Sequence, residues 1–191
     1  MAVIDDLAVV MEENKRGIQY GLYSTALFGL AIALRSVRPF KKFTTPQSLP
    51  SSFLKKHITL YGQVIEVEPN GLLKVNHFPI WPLPGQSSSL LPIQIDSIQT
   101  VGLSTAWLST VVKGSKIKFQ PIMVQDNALS CIVIREGKNI GTQLVSIGFA
   151  SVKPIHTSLD NSKLYLRYYK ELLAAEDKAE KKKLGMWNDK L

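Results

Sequence analysis

The sequence predicts an α+β fold: an N-terminal apolar helix, then a five-stranded β-barrel with helices packed on it and a long C-terminal helix. Three observations lead there. Gly17–Leu34 runs for eighteen residues without a charge. From Ile58 onward the pattern reads three strands, helix, two strands, helix, helix, which lacks the βαβ alternation of a parallel sheet. The chain then closes on AAEDKAEKKKLGMW at Ala174–Trp187, a lysine-rich helical pattern that stops at Gly185. A length of 191 residues with 45% apolar content suits one folded domain with an appendage.

The N-terminal segment reads as a membrane span. As a helix, Gly17–Leu34 is about 27 Å long, close to the roughly 30 Å of a bilayer core. Lys15 and Arg16 precede it, and Arg35, Arg38, Lys41 and Lys42 follow it. Such side chains snorkel to headgroups and make up the missing length. A buried core helix would show a broader polar face than Gln19, Ser24 and Thr25 provide. A cleaved secretory signal would want a basic leader, whereas Met1–Asn14 carries Asp5, Asp6, Glu12 and Glu13, although Ala31-Ile32-Ala33 is a passable cleavage site. The same acids argue against a mitochondrial presequence. The expected division is 1–16 as flank, 17–36 as span, 37–52 as a basic and Pro/Ser-rich linker, and 53–191 as the soluble domain.

Gly17, Gly21, Thr25, Gly29 and Ala33 fall on every fourth residue of the span. In lipid, helices associate through close backbone approach over small side chains, so this stripe is a candidate self-association face. Small residues are common in membrane helices anyway. The collar at Lys15, Arg16, Arg35, Arg38, Lys41 and Lys42 suits anionic headgroups, although such collars often serve only to fix topology. The heavier charge after the span points to the side where the positive-inside rule retains loops, with Lys15 and Arg16 opposing that.

In the soluble part, Ile58–Val67 alternates and is rich in β-branched residues, Pro69-Asn70-Gly71 signals a turn, and Leu72–His77 returns as a hairpin arm. Leu91–Ile98 is a third strand. Ser104–Val112 has helical spacing, with Ser104 as its expected N-cap. Lys116–Val124 and Ala128–Arg135 are two more strands. Asn139–Gly148 is a short helix closed by Gly148, and Leu159–Leu184 is a long amphipathic helix with Gly185 expected as its C-cap, letting Trp187 fold back.

Composition narrows the function classes. The net charge of +8 suits nucleic acid or anionic lipid as a partner. Cys131 is the only cysteine, so no intramolecular disulfide forms. His57, His77 and His156 lack the spacing of a metal site. Neither a metal centre nor a cofactor is expected.

The helix between strands three and four, NIGTQLVSIGFASV at Asn139–Val152 and the AEKKKLGMW ending together resemble the staphylococcal-nuclease-like OB barrel, from about Ile58 to Trp187. That resemblance implies a calcium-dependent nuclease site made of two aspartates, a glutamate acting on water and two arginines facing the phosphate. The first aspartate falls in the turn that here reads Glu68-Pro69-Asn70-Gly71. The second falls at Asp96, in a run that here reads Asp96-Ser97-Ile98-Gln99, so Gln99 stands at the glutamate. The two arginines fall at Leu91 and Ser130. Losing one charge-stabilising donor costs about 100- to 1000-fold in rate, and three elements are gone at once. The expectation is a barrel without catalytic residues.

LRSVRPFKKFT after the span, LPSSFLKKHITLYG and EPNGLLKVNHFPI narrow the resemblance. Over about Leu34–Trp187 the chain is similar to the mitochondrial inner-membrane subdomain organiser family, single-span proteins with a degenerate nuclease-like domain. Some members continue beyond the point matching Leu191 into a charged helical tail. The resemblance implies an inner-membrane scaffold that assembles into patches, influences mitochondrial fission and fusion, and bears on mitochondrial DNA maintenance. The expected partners are the membrane, other copies of the chain and unidentified proteins. A membrane-tethered nucleic-acid-binding module is the alternative. Its candidate stacking residues are Tyr61, Phe78, Trp81 and Phe119, without obvious interleaving of Arg or Lys, while Glu176, Asp177 and Glu180 dilute the basic run Lys178–Lys183.

Overall fold

The computed structural model describes residues 14–85, 87–155 and 162–188. His156, the acidic flank before Asn14 and the expected start of the last helix at Leu159 lie outside the described residues. The chain divides into two compact units, Met1–Lys41 and Lys42–Leu191.

The first unit is the helix α1, Lys15–Val37. Its stretch Lys15–Arg35 is long and apolar enough to cross a membrane, and none of it is buried within the protein. The hydroxyls of Ser24 and Thr25 donate to the carbonyls of Tyr20 and Gly21 four residues back, at 2.7 and 2.8 Å, so these polar groups are satisfied without water. Arg38 ends the helix in the left-handed region (φ 49°), donating its N–H to Leu34 O at 3.0 Å.

The second unit begins ahead of the expected start at Phe53. Phe43, Leu49 and Phe53 are all buried, and the Phe43 and Phe53 rings meet edge to face at 5.6 Å between centroids. The stretch taken for a linker therefore supplies core through Phe43 and Leu49, and α2 (Ser51–Lys55) starts at its end and runs past it.

The strands are β1 (Leu60–Val67), β2 (Leu73–Phe78), β3 (Leu91–Ile95), β4 (Ile98–Thr100), β5 (Lys116–Gln125), β6 (Ala128–Arg135), β7 (Lys138–Asn139) and β8 (Ala150–Val152). One sheet runs β3-β2-β1-β5-β6-β7, and β3 also pairs parallel with β6 through Ile93–Leu129, Gln94–Ser130 and Ile95–Cys131. Alternation explains the inward faces, since Leu73, Val75 and His77 on β2 and Leu91, Ile93 and Ile95 on β3 are buried. On β6, Ala128 through Val133 are all buried, because helices cover the side turned away from the other strands. Of these, α4 (Ile140–Ser146) packs on β6 and α5 (Lys163–Lys181) packs on α4 and β8, while α3 (Ser104–Val111) packs against β1.

Four local expectations are corrected. The strand Leu91–Ile98 is broken after Ile95, because Ser97 takes a left-handed backbone (φ 56°) that a continuous strand cannot hold. The remainder becomes β4, which pairs with β8 in a second, two-stranded sheet. Ser104 is the first residue of α3 and makes no cap; its hydroxyl accepts from Val101 N–H and faces the carbonyls of Val101 and Phe149. Phe119 is fully buried and offers no stacking face. Finally, α5 ends through Lys183 rather than Gly185. Lys183 is left-handed (φ 51°), its N–H meets Glu180 O at 2.9 Å, and Leu184 N–H meets Ala179 O at 3.0 Å. That pair of bonds is a Schellman closure.

Gly148 does close α4 as expected. Its φ is +72°, its N–H reaches Val145 O at 2.9 Å, and Phe149 N–H reaches Leu144 O at 2.9 Å. Gly185 serves the same locality from the other side. The backbones of Gly148 and Leu184–Gly185 lie against each other, and Met186 N–H donates to Gly148 O at 2.9 Å. The C-terminal turn Gly185–Trp187 is thus held by backbone contact with the end of α4, and Trp187 is half-buried.

Candidate functional site

The residues singled out from the sequence divide between a buried cluster and an exposed groove. The cluster forms where β3 breaks. Asp96 is 1% exposed, and its N–H donates to Cys131 O across the parallel pair at 2.9 Å. Its carboxylate accepts Ser130 Oγ–H on Oδ1 at 2.6 Å and Ser97 Oγ–H on Oδ2 at 2.5 Å. With the Ser97 proton committed to Asp96, the Tyr165 hydroxyl is the donor in its 2.8 Å contact with Ser97 Oγ. The Tyr168 hydroxyl donates to Asp96 O at 2.7 Å. Two turns of α5 are therefore bonded to the Asp96–Ser97 break, which accounts for the left-handed serine there.

Burial sets the chemistry of this cluster. Desolvation, reinforced by the Asp96 carboxylate, pushes the Cys131 thiol well above its usual range, so it is a packed and unreactive thiol. Desolvation, then Asp96, Tyr165 and Cys131, raises the Tyr168 phenol likewise and keeps it a neutral donor. Leu91 is fully buried opposite Val75, and Gln99 is exposed on β4 opposite Ser151. Asp96, Ser97 and Ser130 are brought together; Leu91 and Gln99 do not join their hydrogen bonds.

Glu68 and Asn70 lie elsewhere, in a groove shared with Lys74, Gln94, Asp126 and Asn127. Glu68 pairs with Lys74 at 3.0 Å, and Asn70 Oδ1 accepts Leu72 N–H at 3.0 Å to brace the turn. Among the described residues, no group of three or more His, Cys, Asp or Glu could hold a metal ion.

Two features were hidden in the sequence. Lys118 lies opposite Tyr61, with its Nζ 5.7 Å from the ring centroid, and Phe78 lies on the other side of Tyr61. Cation and aromatics interleave across strands, at sequence separations that no local pattern could reveal. The second is His77, which is 3% exposed between the Phe43 and Phe119 rings, with its Nδ1 accepting Phe43 N–H at 3.2 Å. Burial, then the charge of Lys42, lowers its pKa from 6.5 to about 4. A folded-state pKa below the unfolded one means that the unfolded chain binds the proton first. The stabilising effect of neutral His77 is complete above pH 6.5 and is lost as the pH falls toward 4. Thermal midpoints measured across that window are expected to fall with acidification, and His77→Gln is expected to flatten the slope.

Residues 103–189 match the family model described as staphylococcal nuclease homologue. The chain is also similar to protein C3orf33 of Homo sapiens, at 26% identity over 185 residues, covering 91% of this chain and 62% of the relative. The protein C3orf33 homolog of Mus musculus is 28% identical over 176 residues, covering 86% of this chain and 59% of the relative. The chain thus spans about three fifths of the length of these curated relatives. Over residues 103–189, just under half of its length, the chain is similar to staphylococcal nuclease homologues, and over most of its length it is similar to the C3orf33 proteins.

Proposed function

We propose that this chain, with its staphylococcal-nuclease-like domain, is a non-catalytic scaffold anchored in a membrane by α1. In this reading it organises subdomains of the inner mitochondrial membrane and thereby influences mitochondrial dynamics and mitochondrial DNA maintenance. The organelle and the process rest on the resemblance over Leu34–Trp187. The strands β1, β2, β3, β5 and β6 are read as the OB-type barrel, and the bonding of β3 to both β2 and β6 supports this.

The observation that carries the non-catalytic reading is the state of Asp96. A calcium ion takes about six to eight oxygen ligands. At the positions that the resemblance assigns to it, Asp96 is buried with a serine hydroxyl on each oxygen, Asn70 braces its own turn and Glu68 is paired with Lys74. These residues do not fit the ion. Leu91 and Ser130, at the arginine positions, lie in the core, where a phosphate cannot reach. Single-stranded DNA incubated with the purified chain and calcium is expected to stay intact, and calcium-dependent cleavage would overturn the reading.

The anchor predicts that the chain resists alkaline carbonate extraction, and protease protection of each terminus then gives its orientation. Self-association through the span is read from its small-residue stripe, Gly17, Gly21, Thr25, Gly29 and Ala33, which lets two helix backbones approach closely. Gly21→Leu with Gly29→Leu is expected to reduce crosslinked oligomers; unchanged oligomer size removes that face from the assembly.

The row Lys118–Tyr61–Phe78 favours a second reading, a membrane-tethered nucleic-acid-binding module. Salt-dependent retention of single-stranded DNA, lost in Tyr61→Ala, would establish it, and no binding at low salt removes it.

A further inference from the structure

The loop that leaves β2 is uncharged and apolar. From Phe78 to Ile95 the sequence contains no Asp, Glu, Lys, Arg or His. Within it Ile80 is 66% exposed, Trp81 52% and Leu83 51%. Single exposed apolar side chains are ordinary; three large ones within four residues, next to the exposed Phe78 and Tyr61, form a patch.

The backbone is equally unusual. Pro79, Pro82 and Pro84 have no N–H, so the loop has few donors to leave unsatisfied if it enters an apolar medium, and its restricted φ angles leave less entropy to lose. The base of the loop is tied to the start of its own unit, where Lys42 Nζ donates to Ser87 O at 2.7 Å. Lys42 is five residues past Val37, the last residue of α1. Five residues reach at most about 18 Å. The tie therefore keeps the loop within covalent reach of whatever medium receives the end of α1.

We propose that the Pro79–Gly85 loop is a membrane-contact element. Resting on the reading of α1 as a span, it places Ile80, Trp81 and Leu83 in the headgroup and upper acyl layer of the same bilayer, with Lys42 at the phosphate level. Tryptophan suits that layer because its ring is apolar and its N–H can remain in the wet headgroup region. Lysine suits it because the charge meets anionic phosphates while the stem lies along apolar surface. Stacked bases would use Trp81 but leave Ile80 and Leu83 in water, so lipid accounts for more of the patch. The scaffold domain is then held against the membrane at two points, which limits its rotation about the anchor.

The test uses the full chain in vesicles of phosphatidylcholine and phosphatidylglycerol, with an environment-sensitive NBD dye on Leu83→Cys. Cys131 is buried, so the parent chain controls for background labelling. Asn70→Cys is the comparison site, at the opposite end of β2 and roughly 20 Å of strand away. The Leu83→Cys dye is expected to emit at shorter wavelength than the Asn70→Cys dye and to lose emission to nitroxides carried on shallow lipid positions. The same result at Ile80→Cys guards against a local effect of one substitution. Water-like emission at both loop sites, in vesicles that retain the chain through carbonate extraction, overturns the inference while leaving the span intact. Release by carbonate removes the span reading itself, and this inference with it. A blue shift that requires added single-stranded DNA instead of lipid also overturns it, in favour of nucleic acid.

Discussion

Gly148→Ala and Gly185→Ala are each expected to destabilise the domain by about 3 kcal/mol or more, the largest single-methyl effects in this fold. Two costs add. Both glycines have positive φ, +72° and +53°, where alanine costs on the order of 1–2 kcal/mol. A Cβ at Gly148 would also overlap the Leu184 carbonyl, and one at Gly185 would overlap the Gly148 carbonyl. Backbone obstructs in both cases, so no side chain can rotate aside. For a domain of this size about 3 kcal/mol corresponds to a melting point lower by roughly 10 °C. Thermal unfolding of the solubilised chain, followed by tryptophan fluorescence, measures it directly. A loss below about 1 kcal/mol in both variants would mean that the end of α4 and the C-terminal turn are not packed backbone to backbone.

Asp96→Ala is expected to be comparably harmful and Asp96→Asn much milder, and the difference reports what the residue does. Alanine leaves the buried hydroxyls of Ser97 and Ser130 without their acceptor and loosens the hold of α5 through Tyr165, at a cost of about 2–4 kcal/mol. Asparagine keeps the shape and one acceptor oxygen. The serine hydroxyl facing its NH₂ turns to accept, so a loss of roughly 1 kcal/mol is expected. If the two variants were equally unstable, the negative charge itself would be the needed feature, and hydrogen bonding would not account for Asp96.

Much of the fold was legible because it depends on local chemistry. Alternation over Ile58–Val67 and Leu72–His77, with Asn70-Gly71 between them, specifies a hairpin wherever one face is buried. Gly148 could be identified as a helix terminator because a left-handed residue is needed there and glycine adopts it freely. Gly185 misled for the same reason. A glycine after a lysine-rich helix is the common terminator, whereas here Lys183 carries the strain and Gly185 is required by a close backbone approach from a segment far away in sequence. The break at Ser97 left a trace in the pattern. Apolar residues fall at 91, 93 and 95 and then at 98, so the alternation slips after Ile95; the bonds from Ser130, Tyr165 and Tyr168 that hold the chain there come from distant segments.

The candidate site follows the same division. Which residue types occupy Leu91, Gln99 and Ser130 could be read directly, and the charge missing from those positions is a property of the sequence. The environment of Asp96 is not. A lone carboxylate in a strand reads equally as a surface acid, a ligand or a buried acceptor, and only packing selects the last. The Lys118–Tyr61–Phe78 row and the burial of His77 likewise join residues from separate strands. By itself the sequence determined the apolar helix, the order of the five longer strands and of the helices α3 to α5, and which charges are absent. The tertiary structure decided which polar groups are buried, which aromatics face outward and which glycines meet. Hydrophobic period fixes the face on which a side chain lies, but its neighbours on that face come from distant segments.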